Sequence, residues 1–281
     1  DLTETTVIAC QHYLETNLYM LTKILEAGVK PENMYVIPKA YSYNQTIADD
    51  FTENGITSYM YSYEPTTPYD NQFDQYLDEV LSTIDIQTKD VLILDDGGKL
   101  LEKAPEYFST HTLRGVEQTS SGVRRISADN PIQPIINVAR SDAKLIYETP
   151  HIIRHALHVL ENNSTYQRKR PTKALIIGAG PIGTELAKQL DIPATLYDII
   201  DDQKLEPLLA QHDIIFGATG ETSLPPSLHK YLVKGTILAS LSSSDREFAA
   251  AELRKHNTNL THPHDDYTVS GICLLNAGFP I

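Results

Sequence analysis

Short apolar runs rich in Val and Ile recur along the chain, and nearly every one is followed by a segment long enough for a helix. In the first half they are 6-TVIAC-10, 34-MYVIP-38, 57-TSYMY-61, 91-VLILD-95 and 134-PIINV-138; in the second, 174-ALIIG-178, 194-ATLYD-198, 213-DIIFG-217 and 236-TILAS-240. Runs this short and this continuous are strands buried on both faces, and strands alternating with helices build parallel sheets. The best helix lies over 12–28, where Leu14, Leu18, Leu21 and Leu25 share a face and Gly28 stops it. The fold class is therefore α/β, with two doubly wound Rossmann-like domains. The polar, basic stretch 162-NNSTYQRKRPT-172 reads as the linker, which places a substrate domain at 1–165 and a dinucleotide domain at 166–265. A last strand around 270–276 is free to return residues 266–281 to the first domain. Ser244-Asp245-Arg246-Glu247 reads as a capping box opening a helix to about Arg254.

At 281 residues and 41% hydrophobic, the chain can fill two cores. A net charge of −14 repels polyphosphate backbones, so nucleic acid is not the expected partner. No apolar run is long enough to span a membrane. Residues 1-DLTETTVIAC-10 lack signal-peptide character, and the missing Met suggests a trimmed chain. Cys10 and Cys273 fit no metal spacing and are expected as reduced thiols in a cytoplasmic protein.

One motif has a context that raises it above chance. The run 178-GAGPIG-183 follows an apolar strand and opens a helix, as a dinucleotide turn must. Gly178 permits the turn, Gly180 admits a pyrophosphate, and Gly183 lets helix and strand pack closely. Pro181 and Ile182 complete the first helical turn. Asp198 ends the next strand, where a carboxylate accepts from a ribose diol and repels a 2′-phosphate, so NAD is expected over NADP.

Other segments are ambiguous by local rules. The run 94-LDDGGKL-100 is either a plain Asp-Gly-Gly turn or a ligand site at a strand's carboxyl end. The cluster 117-EQTSSG-122 is either a helix cap or a set of hydroxyls for an amide or phosphate. His12 is either structural or an acid–base group. His151, His155 and His158 have helical spacing, but no Cys or carboxylate set completes a metal site. Lys144 and Glu148 read locally as an i,i+4 surface pair.

Taken in order, 9-ACQH-12, 94-LDDGGKL-100, 117-EQTSSGV-123, 135-IINVARSDAK-144, 178-GAGPIG-183, 217-GATG-220, 235-GTILASLSSSDRE-247 and 273-CLLNAGF-279 resemble the S-adenosylhomocysteine hydrolase (adenosylhomocysteinase) family over nearly the whole chain. The resemblance implies an NAD-dependent enzyme that transiently oxidises a 3′-hydroxyl of a nucleoside and eliminates at the adjacent centre. It implies a nucleoside-like small molecule as substrate and a homo-oligomer. By position, it implies Lys144 as the base at the 3′-hydroxyl, His12 as the acid–base group at the leaving group, and Asp96 as the aspartate of the centre. Thr119, Ser120 and Ser121 take the place of three threonines at the nicotinamide, and Thr219 that of a threonine lining the cofactor site. Gln118 stands for a substrate-binding glutamate, Glu148 for an aspartate, Thr149 for an asparagine and Ser243 for a histidine. The family's N-terminal extension and C-terminal tail are mostly absent from this sequence. These departures leave two further readings: an NAD-dependent dehydrogenase or epimerase on a nucleoside- or sugar-like substrate, and a catalytically silent NAD-binding protein.

Overall fold

The computed structural model describes residues 2–201, 204–255 and 264–281. The chain divides into two compact units. The first comprises Asp1–Tyr63 with Gln72–Ser141, and the second Glu64–Asn71 with Asp142–Ile281.

In the first unit, β1 (Thr5–Gln11), β2 (Met34–Pro38), β3 (Thr57–Ser58), β4 (Asp90–Asp95), β5 (Thr112–Glu117) and β6 (Ile135–Asn137) form a six-stranded sheet in the order β3-β2-β1-β4-β5-β6. Every pairing is parallel. Val7 through Cys10 of β1 are fully buried, as expected of a central strand covered on both sides. Val7 and Ala9 face a core shared with Leu21 of the helix Glu15–Glu26 and with Phe51 of the helix Gln45–Glu53. The strand order reverses between β1 and β4, so their carboxyl ends flank the crevice in which open α/β sheets bind ligands.

The second unit repeats the design. Its strands are β7 (Ala174–Ile177), β8 (Ala194–Tyr197), β9 (Ile214–Gly217), β10 (Ile237–Ser240), β11 (Tyr267–Val269) and β12 (Ile272–Leu274), in the order β11-β12-β10-β9-β7-β8. Only β11 runs antiparallel, against β12. The switch point here lies between β7 and β9. Both sheets are doubly wound α/β, the class expected from sequence. Among the described residues no helix is long and apolar enough to cross a membrane.

Four expectations change. The strand near 270–276 does not return to the first sheet, because β12 pairs with β10. The stretch 162–172, read as the linker, lies inside the second unit and is helical over Ser164–Lys169, capped where Tyr166 N donates to the Asn163 side chain at 3.0 Å. The division between units falls earlier, at Ser141–Asp142, because Ile153 and Leu160 of the helix Thr149–Asn162 pack into the second core. Finally, 244–247 is not a capping box. Ser244 has φ 68°, the next helix is Ala250–Arg254, and Glu247 turns inward to a different set of donors.

Candidate functional site

The first-unit constellation is assembled from four strand ends. Gln11 closes β1, and its Nε2 donates to Gln118 Oε1 at 2.9 Å, fixing a side chain that the sequence singles out. His12 follows. Its Nδ1 lies 2.6 Å from Ser42 Oγ, whose hydroxyl donates to Lys39 O at 3.3 Å. With that hydroxyl already donating, the partners assign the proton to Nδ1 and leave Nε2 as the basic nitrogen. His12 Nε2 faces Asp96 Oδ1 at 3.5 Å, so a carboxylate stands ready to balance the imidazolium that forms on protonation.

Lys39 follows β2 and is one of the few buried lysines of the chain, with 6% of its side chain exposed. Its Nζ is 3.9 Å from Asp96 Oδ1 and 5.3 Å from the centroid of the Phe73 ring. Burial opposes its charge, but nearby Cys10, Tyr41, Asp96 and Asp95 push its pKa up overall.

Beneath these groups lie two carboxyls that are wholly buried. Asp95 and Glu117 are register partners across β4 and β5, and so share one face of the sheet. Asp95 Oδ2 accepts from Leu101 N at 2.9 Å. Glu117 Oε1 accepts from Gly97 N at 3.1 Å and from Thr119 N and Oγ1, both at 2.7 Å. Their other oxygens, Asp95 Oδ1 and Glu117 Oε2, are buried with no hydrogen-bond partner among the described residues. Burial, aided by Asp95, lifts Glu117 to about 8. Burial also lifts Asp95 to about 6, against the pull of Lys39.

Thr119 is the N-cap of the helix Ser120–Arg125, accepting from Gly122 N at 2.9 Å. Thr119, Ser120 and Ser121 thus belong to the first unit, where the Thr119 hydroxyl is engaged in the cap.

Lys144 and Glu148 lie in the second unit, in the π-helical turn Ala143–Glu148 that leads into the long helix. They pair with each other at 2.5 Å, and their side chains are 28% and 46% exposed. The i,i+4 pair read locally from the sequence is present. Within the first unit, His12 and Asp96 lie 3.5 Å apart, and Gln118 is bonded to the Gln11 that precedes His12. His151, His155 and His158 are exposed on the helix that follows, and among the described residues no group of His, Cys, Asp or Glu is arranged to hold a metal.

At the second switch point, Gly178 turns the chain with φ 112°, and a Cβ there would meet Ala218 O at 2.7 Å. A Cβ on Gly183 would lie 1.9 Å from Gly178 O, so helix and turn touch at a point where no side chain fits. Gly180 differs: nothing lies within 4 Å of where its Cβ would be. Open space in front of the first turn of Pro181–Gln189 is what a pyrophosphate needs. Pro181 is exposed at that turn and Ile182 packs toward the core. Asp198 stands beside the turn and accepts from Ala179 N at 2.8 Å.

The loop after β9 is held from below by Glu247, which is fully buried. Its carboxylate accepts from Thr219 N at 2.6 Å, Gly220 N at 2.7 Å, Ser242 Oγ at 2.5 Å and Thr219 Oγ1 at 2.9 Å. Lys39, Asp95, Glu117 and Glu247 are absent from the sequence-based set. A faint signal existed for three of them, since Lys39, Asp95 and Glu117 each end or directly follow a strand at its carboxyl end.

No protein-family model matches the chain. Two uncharacterized proteins of Mycobacterium tuberculosis, MT0113 and Rv0104, are each 35% identical over 294 aligned positions covering 98% of the chain. The chain spans only 58% of their length. Among solved structures, a dipicolinate synthase subunit from Bacillus halodurans superposes with a TM-score of 0.52 at 11% identity, covering 90% of this chain and 88% of that one. This likeness is one of fold. A probable 2-hydroxyacid dehydrogenase from Rhizobium etli aligns over 99% of this chain and 90% of its own, with a TM-score of 0.41 and 11% identity.

Proposed function

We propose that the chain is an NAD-dependent oxidoreductase that oxidises a hydroxyl of a small molecule, with the cofactor on the second unit and acid–base chemistry on the first. The observation that carries this reading is the open Gly180 turn at the β7–β9 switch point, with Asp198 beside it. Gly178, Gly180 and the helix N-terminus would hold the pyrophosphate, Asp198 the ribose diol, and Thr219 would line the site. When bound, the nicotinamide supplies a hydride acceptor. His12 Nε2 takes the hydroxyl proton; its Nδ1–H stays anchored on Ser42, and Asp96 balances the charge gained.

A second reading, an adenosylhomocysteinase-like reaction in which oxidation is transient, draws support from one further observation. His12 and Asp96 come from two of the segments that carry the family resemblance, and they lie 3.5 Å apart. Net accumulation of NADH with sugar or nucleoside alcohols favours the dehydrogenase or epimerase reading. Thiol release from S-adenosylhomocysteine without net NADH favours the second.

Calorimetric titration with NAD+ and NADP+ tests the cofactor assignment. NAD+ should bind roughly tenfold or more tightly than NADP+, and Asp198→Ala should erase the preference. Absence of binding by either dinucleotide sinks the proposal.

A further inference from the structure

The basic run 168-RKR-170, which the sequence presents as part of a linker and the structure folds into the second unit, has no part in the reaction proposed above. It borders a cavity of about 480 Å³ whose walls are the residues just before β7, β9 and β10, at 169–172, 210–213 and 233–236. The cavity therefore sits at the amino ends of these strands. The Gly180 turn follows the carboxyl end of β7, so the two places lie at opposite ends of the second sheet.

Three cations, Lys169, Arg170 and Lys234, line this cavity, and among the described residues that line it the one carboxylate is Asp213. Asp213 is turned to the loop: its Oδ2 accepts from Thr172 Oγ1 at 2.7 Å, Thr172 N at 2.8 Å and Lys173 N at 3.1 Å, and these donors, chiefly the Thr172 hydroxyl, hold its pKa below the usual carboxylate range. His212 is buried, with Nδ1 engaged by Leu208 O at 2.7 Å and Nε2 by Thr195 Oγ1 at 2.8 Å, and serves as wall. Three positive charges against one negative make the cavity strongly positive in a chain whose net charge is −14. The cations are also positioned. Lys169 Nζ donates to Gly235 O at 3.0 Å, and the stem of Lys234 packs over Gly271, where no side chain would fit. Lys169 and Arg170 alone would be ordinary company for the carboxyl end of a helix, but Lys234 arrives from a different loop. Arg170, moreover, holds its place under strain. It ends the helix Ser164–Lys169 with φ 48°, in the left-handed region where glycine is free and other residues are not. Backbone stability favours glycine there; what the position keeps instead is a guanidinium.

We propose that this cavity is a second ligand site, one that takes the phosphate monoester of a small molecule and is independent of the dinucleotide turn. The planar fork of Arg170 suits two phosphate oxygens, the two ammonium groups act as point charges on the rest, and a dianion offsets the excess positive charge where a single carboxylate would not. Pro171 and Val233 give the ester group an apolar wall. The volume is that of a small-molecule site.

The full chain is titrated calorimetrically with phenyl phosphate, inorganic phosphate and benzoate, which separate the dianionic head from the ring. Phenyl phosphate should bind, inorganic phosphate should bind more weakly for want of the ring, and benzoate should bind roughly tenfold or more weakly than phenyl phosphate. Arg170 and Lys234 are exposed, so raising the salt from about 0.02 M to about 0.5 M should weaken phenyl phosphate binding severalfold. Arg170→Gly should lower the affinity roughly tenfold or more, yet unfold at the same or a higher urea concentration than the wild type, because glycine accepts the left-handed backbone. A residue kept for folding alone would show the opposite. Lys234→Met, which leaves the backbone untouched, should lower the affinity by a similar factor. Binding of none of the three probes, binding that is insensitive to salt, or benzoate or inorganic phosphate binding as tightly as phenyl phosphate overturns the proposal. So does an affinity unchanged in either variant, which would place the anion elsewhere on the chain.

Discussion

Replacing Arg254 by alanine should cost the second unit about 3–5 kcal/mol, the usual penalty for removing one member of a buried ion pair. Arg254 has no exposed surface, and neither the guanidinium nor its partner Asp245, at 3% exposure, has water to fall back on. The guanidinium bonds Asp245 directly, donates from Nε to Pro65 O and from a terminal nitrogen to Ala277 O, both at 2.5 Å, and stacks on Phe279. One side chain therefore joins three stretches that are distant in sequence. Pro65 belongs to Glu64–Asn71, the excursion that leaves the first half of the chain and packs with the second unit. That excursion is also held by Arg246, which pairs with Asp70 at 2.9 Å, and by Tyr69 N, which donates to Asp245 at 3.3 Å. The alanine variant strands the Asp245 charge, whereas Arg254→Met combined with Asp245→Asn removes both charges and should recover most of the loss. Urea denaturation followed by tyrosine fluorescence is the measurement, since the chain has sixteen Tyr and no Trp. A loss below about 1 kcal/mol for Arg254→Ala would show that the pair is not holding this segment.

The same contrast separates what could be read from the sequence from what could not. Strands such as Met34–Pro38 and Ala174–Ile177 were legible because burial on both faces demands unbroken apolar residues. The strand Thr112–Glu117 was not, since Thr, Arg, Gly and Glu interrupt it and its place comes from pairing with Asp90–Asp95. The dinucleotide turn was legible because its glycine spacing, placed between an apolar strand and a helix start, is a local pattern, and the Gly183–Gly178 contact that demands it lies within five positions. Glu247 was misread because its role depends on donors 27 and 28 positions away, at Gly220 and Thr219, which local spacing cannot reveal. Lys39 escaped for a related reason: a lysine after a strand is ordinarily solvated, and only the arrival of Asp96 and Phe73 from other elements encloses it.

Glu117→Gln should stabilise the first unit at pH 8 and change little near pH 4.5. Glu117 titrates at about 8 in the folded chain, against 4.5 as an ordinary carboxyl, because burial and the neighbouring Asp95 disfavour its charge. Between those values the folded state binds the proton more tightly than the unfolded state does, so stability falls as pH rises. The contribution is fully present below about 4.5 and has been lost by about 8. Its size is at most on the order of 5 kcal/mol, from the pH interval and the free energy of each pH unit. Asp95, raised to about 6, adds to the same slope, though the two share a proton and their effects do not sum. Glutamine keeps an acceptor for Gly97 N and Thr119, and puts an N–H where Glu117 Oε2 is buried without a partner. The variant should therefore flatten the pH dependence of urea unfolding between pH 4.5 and 8 and raise the midpoint at the alkaline end. Parallel curves for wild type and variant would mean that this carboxyl is not protonated in the folded chain.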